Sequence, residues 1–236
     1  MILVTGGAGY IGSHTVLVLL QAGHDVVVLD NLVNSSAESL RRVGTLAGKT
    51  ATFIEGDIRD RAALDALFAR YPITSVIHFA GLKAVGESVE KPLPYYENNV
   101  SGSITLFEAM AAAGVKRIVF SSSASVYGDV RLKPGEKPDF VVTENSYLNP
   151  SSPYARTKFI MEMVLKDTCE AYGMKGIALR YFNPIGADPK YRSGIHVKEP
   201  SHVIGKLVDT ALGKIDHFTI TGINWPTRDG SGIRDY

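Results

Sequence analysis

The chain opens with the apolar run Ile2-Leu3-Val4-Thr5, set directly against Gly6-Gly7-Ala8-Gly9-Tyr10-Ile11-Gly12. A run this short and apolar reads as a strand buried on both faces. The glycines after it require the backbone to turn at once into a helix packed closely on that strand. This opening restricts the chain to folds built from strand–turn–helix units with the strands inside. Short runs rich in Val, Ile, Leu or Phe recur at residues 2–5, 25–30, 52–55, 75–80, 117–121 and 176–182. Helix-like stretches fall between them at residues 11–22, 61–70, 94–113 and 153–172. The expected class is therefore α/β, a doubly wound parallel sheet of the Rossmann type. Ligands are expected at the carboxyl ends of its strands. The pattern loosens over residues 183–198, which are rich in Gly, Pro and charge, before a helix candidate at residues 202–212. The expected organisation is a dinucleotide-binding domain over residues 1–182. Residues 183–236 then form part of a smaller substrate lobe interleaved with it.

Composition narrows the function classes. With 236 residues, 45% hydrophobic and 21% charged, the chain can bury a sizeable core and is not of disordered type. A net charge of +1 without Lys/Arg runs gives no reason to expect nucleic acid or an anionic membrane as partner. Cys169 stands alone, so neither an intrachain disulfide nor a cysteine metal cage is expected, and no metal at all is expected. No stretch approaches the roughly 20 apolar residues of a membrane span. The strand-like start Met-Ile-Leu-Val-Thr is expected to leave no room for a signal peptide, which makes the cytoplasm the expected compartment.

Two constellations carry chemistry. In the first, the glycine cluster follows a strand and opens a helix, and the second strand candidate ends in Asp30. Helix-start N–H groups and the helix dipole suit a pyrophosphate. An acidic residue at the end of the second strand accepts ribose hydroxyls and repels a 2′-phosphate, so NAD is expected over NADP. The second is Ser152-Pro153-Tyr154-Ala155-Arg156-Thr157-Lys158. Proline suits a first helical turn, and a spacing of four puts Tyr154 and Lys158 on one face. A free tyrosine titrates near about 10. A neighbouring ammonium, together with the positive nicotinamide ring of an oxidised cofactor, is expected to favour the phenolate and produce a base. Y-x-x-x-K is common by chance, but Ser121-Ser122-Ser123 ends the fifth strand candidate, at the edge of the sheet where chemistry is expected. A serine hydroxyl there can hold a reacting oxygen.

With these motifs the chain resembles the extended short-chain dehydrogenase/reductase superfamily. The block His78-Phe79-Ala80-Gly81-Leu82-Lys83-Ala84-Val85-Gly86-Glu87-Ser88, residues 121–129 and Arg180-Tyr181-Phe182-Asn183-Pro184 make it similar, within that superfamily, to the UDP-glucose 4-epimerase (UDP-galactose 4-epimerase) family. The resemblance runs from residue 1 to residue 236. It implies interconversion of UDP-glucose and UDP-galactose at sugar C4 through a transient 4-keto sugar, with catalytic residues Tyr154, Lys158 and Ser123. The cofactor contacts it implies, together with the glycine turn, are Gly6, Gly9, Tyr10, Ile11, Gly12, Asp30, Asn31, Asn34, Ser35, Asp57, Ile58, Phe79, Ala80, Lys83, Asn98, Lys158, Tyr181 and Phe182. The substrate contacts it implies are Lys83, Ser123, Tyr154, Asn183, His202, Thr219 and Arg234. A homodimer paired through the helices at residues 94–113 and 153–172 is also implied.

Some features depart from the family pattern. Ser201-His202-Val203 stands where many relatives have Asn-Asn-Leu, and Thr221 stands where many have an aromatic residue. The family pattern also continues by about 100 residues beyond Arg234-Asp235-Tyr236, so the substrate lobe is expected to be incomplete. Two other functions are consistent with parts of the pattern. A sugar-nucleotide dehydratase would need an acid pair after the fifth strand, where Ala124 and Ser125 stand. A non-catalytic NAD-binding protein would not need the Tyr154–Lys158 pair, and depends on the chain being naturally truncated.

Overall fold

The computed structural model describes residues 1–128, 141–195, 202–220, 222–225 and 227–232. Two compact units divide the chain, Met1–Tyr181 and Phe182–Tyr236.

Among the described residues, the first unit holds a six-stranded parallel sheet: β1 (Ile2–Thr5), β2 (Val26–Asp30), β3 (Thr52–Glu55), β4 (Ser75–His78), β5 (Arg117–Ser121) and β6 (Lys175–Leu179). Its order is β3-β2-β1-β4-β5-β6, which reverses direction between β1 and β4. This is the doubly wound architecture that the alternating pattern predicts. The register sets Thr5 opposite Leu29 on one side and His78 on the other. The carboxyl ends of the three central strands are therefore level with one another, at the switch point where such sheets take ligands.

The inner strands are apolar because both of their faces are covered, whereas β6 at the sheet edge is largely exposed. On β2, Val27 and Leu29 join Leu64, Leu67, Leu106, Met110, Met161 and Leu165 in one core. The intervening Val26 and Val28 join Val16, Leu17, Leu20 and Val43 in the other. Alternation along a strand sends successive side chains to opposite faces. The first core is supplied by α3 (Arg61–Arg70), α6 (Gly102–Ala112) and α7 (Pro153–Tyr172). The second is supplied by α1 (Tyr10–Gln21) and α2 (Ala37–Ala47).

Several elements depart from the sequence reading. Helix α2 was not expected. Ser36 caps its start by accepting from Glu38 N–H, and Gly48 ends it at φ 66°. The stretch expected as one helix over residues 94–113 is three pieces: α5 (Pro92–Tyr96), a π turn (Glu97–Ser101) and α6. Strand β4 stops at His78, because the N–H groups of Phe79 and Ala80 both turn to donate to the Thr5 carbonyl. Strand β6 stops at Leu179, and Tyr181 leaves the ladder to offer its carbonyl to Ala124 N–H. Helix α4 (Val85–Glu90) and the 3₁₀ turn Ala124–Tyr127 lie where no element was expected.

The second unit holds α8 (Val203–Ala211), which His202 caps by accepting the Gly205 N–H on its ring Nδ1 at 3.1 Å. It also holds a tight turn in which Asp188 receives the Arg192 guanidinium through both carboxylate oxygens.

Candidate active site

The glycine turn packs against its surroundings at atomic contact distance. A Cβ on Gly6, which sits at φ +69°, would lie 2.6 Å from Ala80 N. One on Gly12 would lie 2.2 Å from the Gly6 carbonyl oxygen. The turn therefore closes only with hydrogen at both positions. Helix α1 then begins at Gly9 with no side-chain cap, and a helix start of this kind can direct its N–H groups at an anion. Asp30 leans into the same turn. Its Oδ2 accepts Ala8 N–H at 2.9 Å, and its Oδ1 accepts Leu32 N–H at 3.0 Å and the Ser35 hydroxyl at 2.8 Å. Three bonds leave a carboxylate with acceptor capacity to spare. A side-chain-free phosphate cradle beside an anchored carboxylate fits NAD. We expect Gly12→Ala to weaken NAD binding at least tenfold and to cost about 1–3 kcal/mol of stability, since the turn must open to admit a methyl group. NAD titration and urea unfolding test this, and unchanged values of both would contradict it.

The other expected cofactor residues of the first unit spread along the carboxyl edge of the sheet. Asn31 donates to Asp57 Oδ2 at 3.0 Å. The Arg59 guanidinium hydrogen-bonds Asp57 and holds its carboxyl well below the usual carboxylate range. Asn34 is exposed, as is Lys83 in the loop after β4. Ile58 is a core residue packed into the first cluster, and Phe79 packs against the second. Tyr10 stands edge-on to His14 at 5.4 Å.

The second constellation is built on α7. Ser152 accepts Ala155 N–H as its cap. The remaining first-turn donor, Tyr154 N–H, goes to the Ser88 hydroxyl at 3.2 Å. Ser88 is fully buried and ends the block that starts at His78. The structure brings Tyr154, Lys158 and Ser123 together. The Ser123 hydroxyl acts on the Tyr154 phenol and pulls its pKa down against the rise from burial. It accepts from Ser125 N–H and the Ser125 hydroxyl, which leaves its own proton available to donate. Lys158 Nζ donates to the Ser121 carbonyl at 2.8 Å and lies 5.9 Å from the Tyr154 ring centre and 5.1 Å from that of Phe120.

The electrostatics differ from the expectation. Burial holds the Tyr154 phenol above its ordinary pKa, and Ser123 offsets only part of this. Burial also brings the Lys158 ammonium down to about 8. The protein alone therefore does not favour the phenolate, because desolvation opposes the charge on both partners. Tyr95 on α5 interacts electrostatically with Tyr154, and its hydroxyl donates to Glu87 on α4 at 2.8 Å.

Several residues that the sequence reading passed over hold this arrangement. Asn99, on the π turn, is buried and uses its amide three ways. It accepts Leu82 N–H at 2.8 Å, donates to the Leu82 carbonyl at 2.9 Å and donates to Thr157 Oγ1 at 3.1 Å. It thereby ties the loop carrying Lys83 to α7, and its neighbour Asn98 donates to it at 2.9 Å. Buried His78 joins Thr5 Oγ1 at 2.6 Å and Ser103 Oγ at 2.8 Å. The Ser103 proton goes to the Asn99 carbonyl, so His78 must donate from Nε2 and accept at Nδ1. Burial lowers its pKa to about 3, which keeps the ring neutral. Periodicity alone gives no sign of these roles, although Ser88 and Asn99 each lie close to a residue already singled out.

Tyr181 lies at the end of the first unit and is partly buried. Phe182, Asn183, His202 and Thr219 belong to the second unit. His202 serves there as a helix cap, and Phe182 and Thr219 are exposed. Arg234 lies outside the described residues, as do Ser201 and Thr221.

Comparison with known proteins gives one consistent group. The model of the NAD dependent epimerase/dehydratase family matches residues 2–236. A UDP-glucose 4-epimerase of Yersinia enterocolitica is 52% identical over 239 residues, covering 100% of this chain and 69% of its own length. One of Bacillus subtilis is 50% identical, covering 100% and 68%. Among solved structures, the Stenotrophomonas maltophila UDP-glucose-4-epimerase with bound NAD and formylated UDP-arabinopyranose superposes with a TM-score of 0.91 at 42% identity, covering 100% of this chain and 68% of its own. The Bifidobacterium longum enzyme in complex with NAD+ and UDP gives 0.92 at 40% identity, covering 100% and 69%.

Proposed function

Because the chain belongs to the NAD dependent epimerase/dehydratase family, we propose that it interconverts UDP-glucose and UDP-galactose at sugar C4. The observation that carries this reading is the convergence of Tyr154, Ser123 and Lys158 at the carboxyl edge of the sheet, beside a turn shaped for a dinucleotide. When bound, NAD supplies the reversible two-electron oxidation and reduction at C4. Gly6, Gly9 and Gly12 leave room for its pyrophosphate, and Asp30 accepts from its ribose. Tyr10, Ile11, Asn31, Asn34, Ser35, Asp57, Ile58, Phe79, Ala80, Lys83, Asn98, Tyr181 and Phe182 complete its contacts.

Tyr154 Oη takes the proton of the sugar 4-hydroxyl and later returns it to the 4-oxygen. Ser123 donates its hydroxyl proton to whichever of these oxygens carries the developing charge. Lys158, with a pKa brought down to about 8, holds an ammonium close to the phenol at neutral pH. With an oxidised cofactor bound, its positive charge would add to that of Lys158 in favouring the Tyr154 phenolate. Asn183, His202, Thr219, Lys83 and Arg234 are the proposed contacts of the nucleotide sugar. No helix among the described residues is long and apolar enough to cross a membrane. We propose a cytoplasmic homodimer paired through residues 94–113 and α7.

The test is redox bookkeeping. With UDP-galactose, UDP-glucose should form over many turnovers without accumulation of NADH at 340 nm, because the sugar is both oxidised and reduced within one cycle. Stoichiometric NADH would mark a dehydrogenase instead, and the epimerase reading would fail.

A further inference from the structure

Glu162 stands two turns along α7 from Tyr154, on the face that also carries Lys158. Its carboxylate is largely buried, and both oxygens are hydrogen-bonded. Oε1 accepts the Ser122 hydroxyl and Arg180 Nε, and Oε2 accepts Arg180 Nη2 at 2.7 Å. The remaining arm of the guanidinium, Nη1, donates to the Tyr127 hydroxyl at 3.1 Å and to the Glu144 carbonyl at 3.2 Å. Ser122 immediately precedes Ser123, and Tyr127 closes the 3₁₀ turn that Ser123 caps. Ser123 is thus held from both sides by bonds that end on one ion pair. That pair is rooted in the helix carrying Tyr154.

We propose that the Glu162–Arg180 pair is a positioning device that holds Ser123 in place for its action on Tyr154. The proposal rests on the epimerase reading of the site for its kinetic consequence only. A buried ion pair is weak evidence of stability in itself, since apolar residues of similar size often serve the fold as well. Here the ions spend their spare hydrogen bonds on Ser122 and Tyr127, which flank Ser123, and on the Glu144 carbonyl, and none on the sheet core. Loss of the pair would let Ser123 drift, and displacements near 1 Å at a reacting centre reduce rates steeply.

The experiment compares Ser123→Ala, Glu162→Ala and their double variant with the unaltered protein, using UDP-galactose. Glu162→Ala is expected to lower kcat about tenfold or more with KM changed less than about twofold. The double variant should be no slower than Ser123→Ala, because Glu162 acts through Ser123. Glu162→Gln keeps an acceptor for Ser122 and should recover most of the loss. Glu162→Met/Arg180→Met leaves no unpaired charge, so it keeps the test open if Glu162→Ala does not fold, and it should be as slow as Glu162→Ala.

A second readout does not depend on turnover. In protein labelled at tyrosine 13Cζ, the Tyr154 resonance, assigned by its absence in Tyr154→Phe, should move in Glu162→Ala as it moves in Ser123→Ala. If the unaltered protein turns over UDP-galactose, losses that add fully in the double variant, or a folded Met/Met variant with normal kcat, would overturn the proposal. A Tyr154 resonance unmoved by Glu162→Ala would overturn it as well. If the unaltered protein does not epimerise, the functional reading fails by itself, and the 13Cζ comparison still decides the positioning role.

Discussion

Tyr154→Phe is expected to leave NAD affinity unchanged and to lower turnover by roughly 10²–10⁴, the usual contribution of a positioned proton-transfer group. Ser123 acts on the phenol, while the backbone at Tyr154 is held independently. Ser88 takes the Tyr154 N–H, and Ser152 caps the helix. Removing one oxygen therefore removes the proton path without disturbing the helix. The cofactor cradle at Gly6, Gly12 and Asp30 contains no atom of Tyr154. Steady-state assay with UDP-galactose and NAD titration check both halves. Turnover within a few-fold of the unaltered protein would show that another group moves the proton.

Lys158→Met is expected to act in opposite directions on activity and stability. Activity should fall by orders of magnitude, because Tyr154, already above its ordinary pKa through burial, would lose the nearby cation that supports its phenolate. Stability of the nucleotide-free protein at pH 7 should rise by about 1–3 kcal/mol. The folded-state pKa of Lys158 is about 8 against 10.5 for the free side chain, so below pH 8 the fold carries a desolvated ammonium at a cost. Between pH 8 and 10.5 the unfolded chain binds the proton and the folded chain does not, so the unaltered protein gains stability as pH rises. The advantage of Lys158→Met should therefore shrink across that window. Urea unfolding at pH 7 and pH 9.5 measures it. A variant less stable than the unaltered protein at pH 7 would show that the 2.8 Å bond to the Ser121 carbonyl and the ring contacts outweigh the burial cost. Evolution would then have met no conflict between fold and function at this position.

Local periodicity determined much of this protein. The strand–glycine–helix opening, the parallel α/β class, the acidic end of β2 and the shared face of Tyr154 and Lys158 all follow from residue spacing over a few turns of chain, where 2.0 and 3.6 repeats are legible. Elements whose cause is local but weakly marked were passed over. Helix α2 has a serine cap and a terminal glycine, with its packed apolar residues confined to the stripe Leu40, Val43, Leu46 and Ala47, and the π turn of Glu97–Ser101 interrupts a stretch that reads as one helix.

Only the tertiary structure decided how the site behaves. The donor cap of Tyr154 comes from Ser88, 66 residues away, and Asn99 reaches Thr157 across 58. Asp30 finds Ala8 across 22 residues. Such pairings depend on how strands align in the sheet, and residue spacing does not encode that alignment. The charge states depend on it too. A lysine beside a tyrosine reads in sequence as an attraction that lowers the phenol pKa. In the folded protein, burial opposes the charge on both groups and leaves the balance to Ser123 and to the cofactor, because desolvation is set by every neighbouring atom rather than by the one partner that the sequence shows.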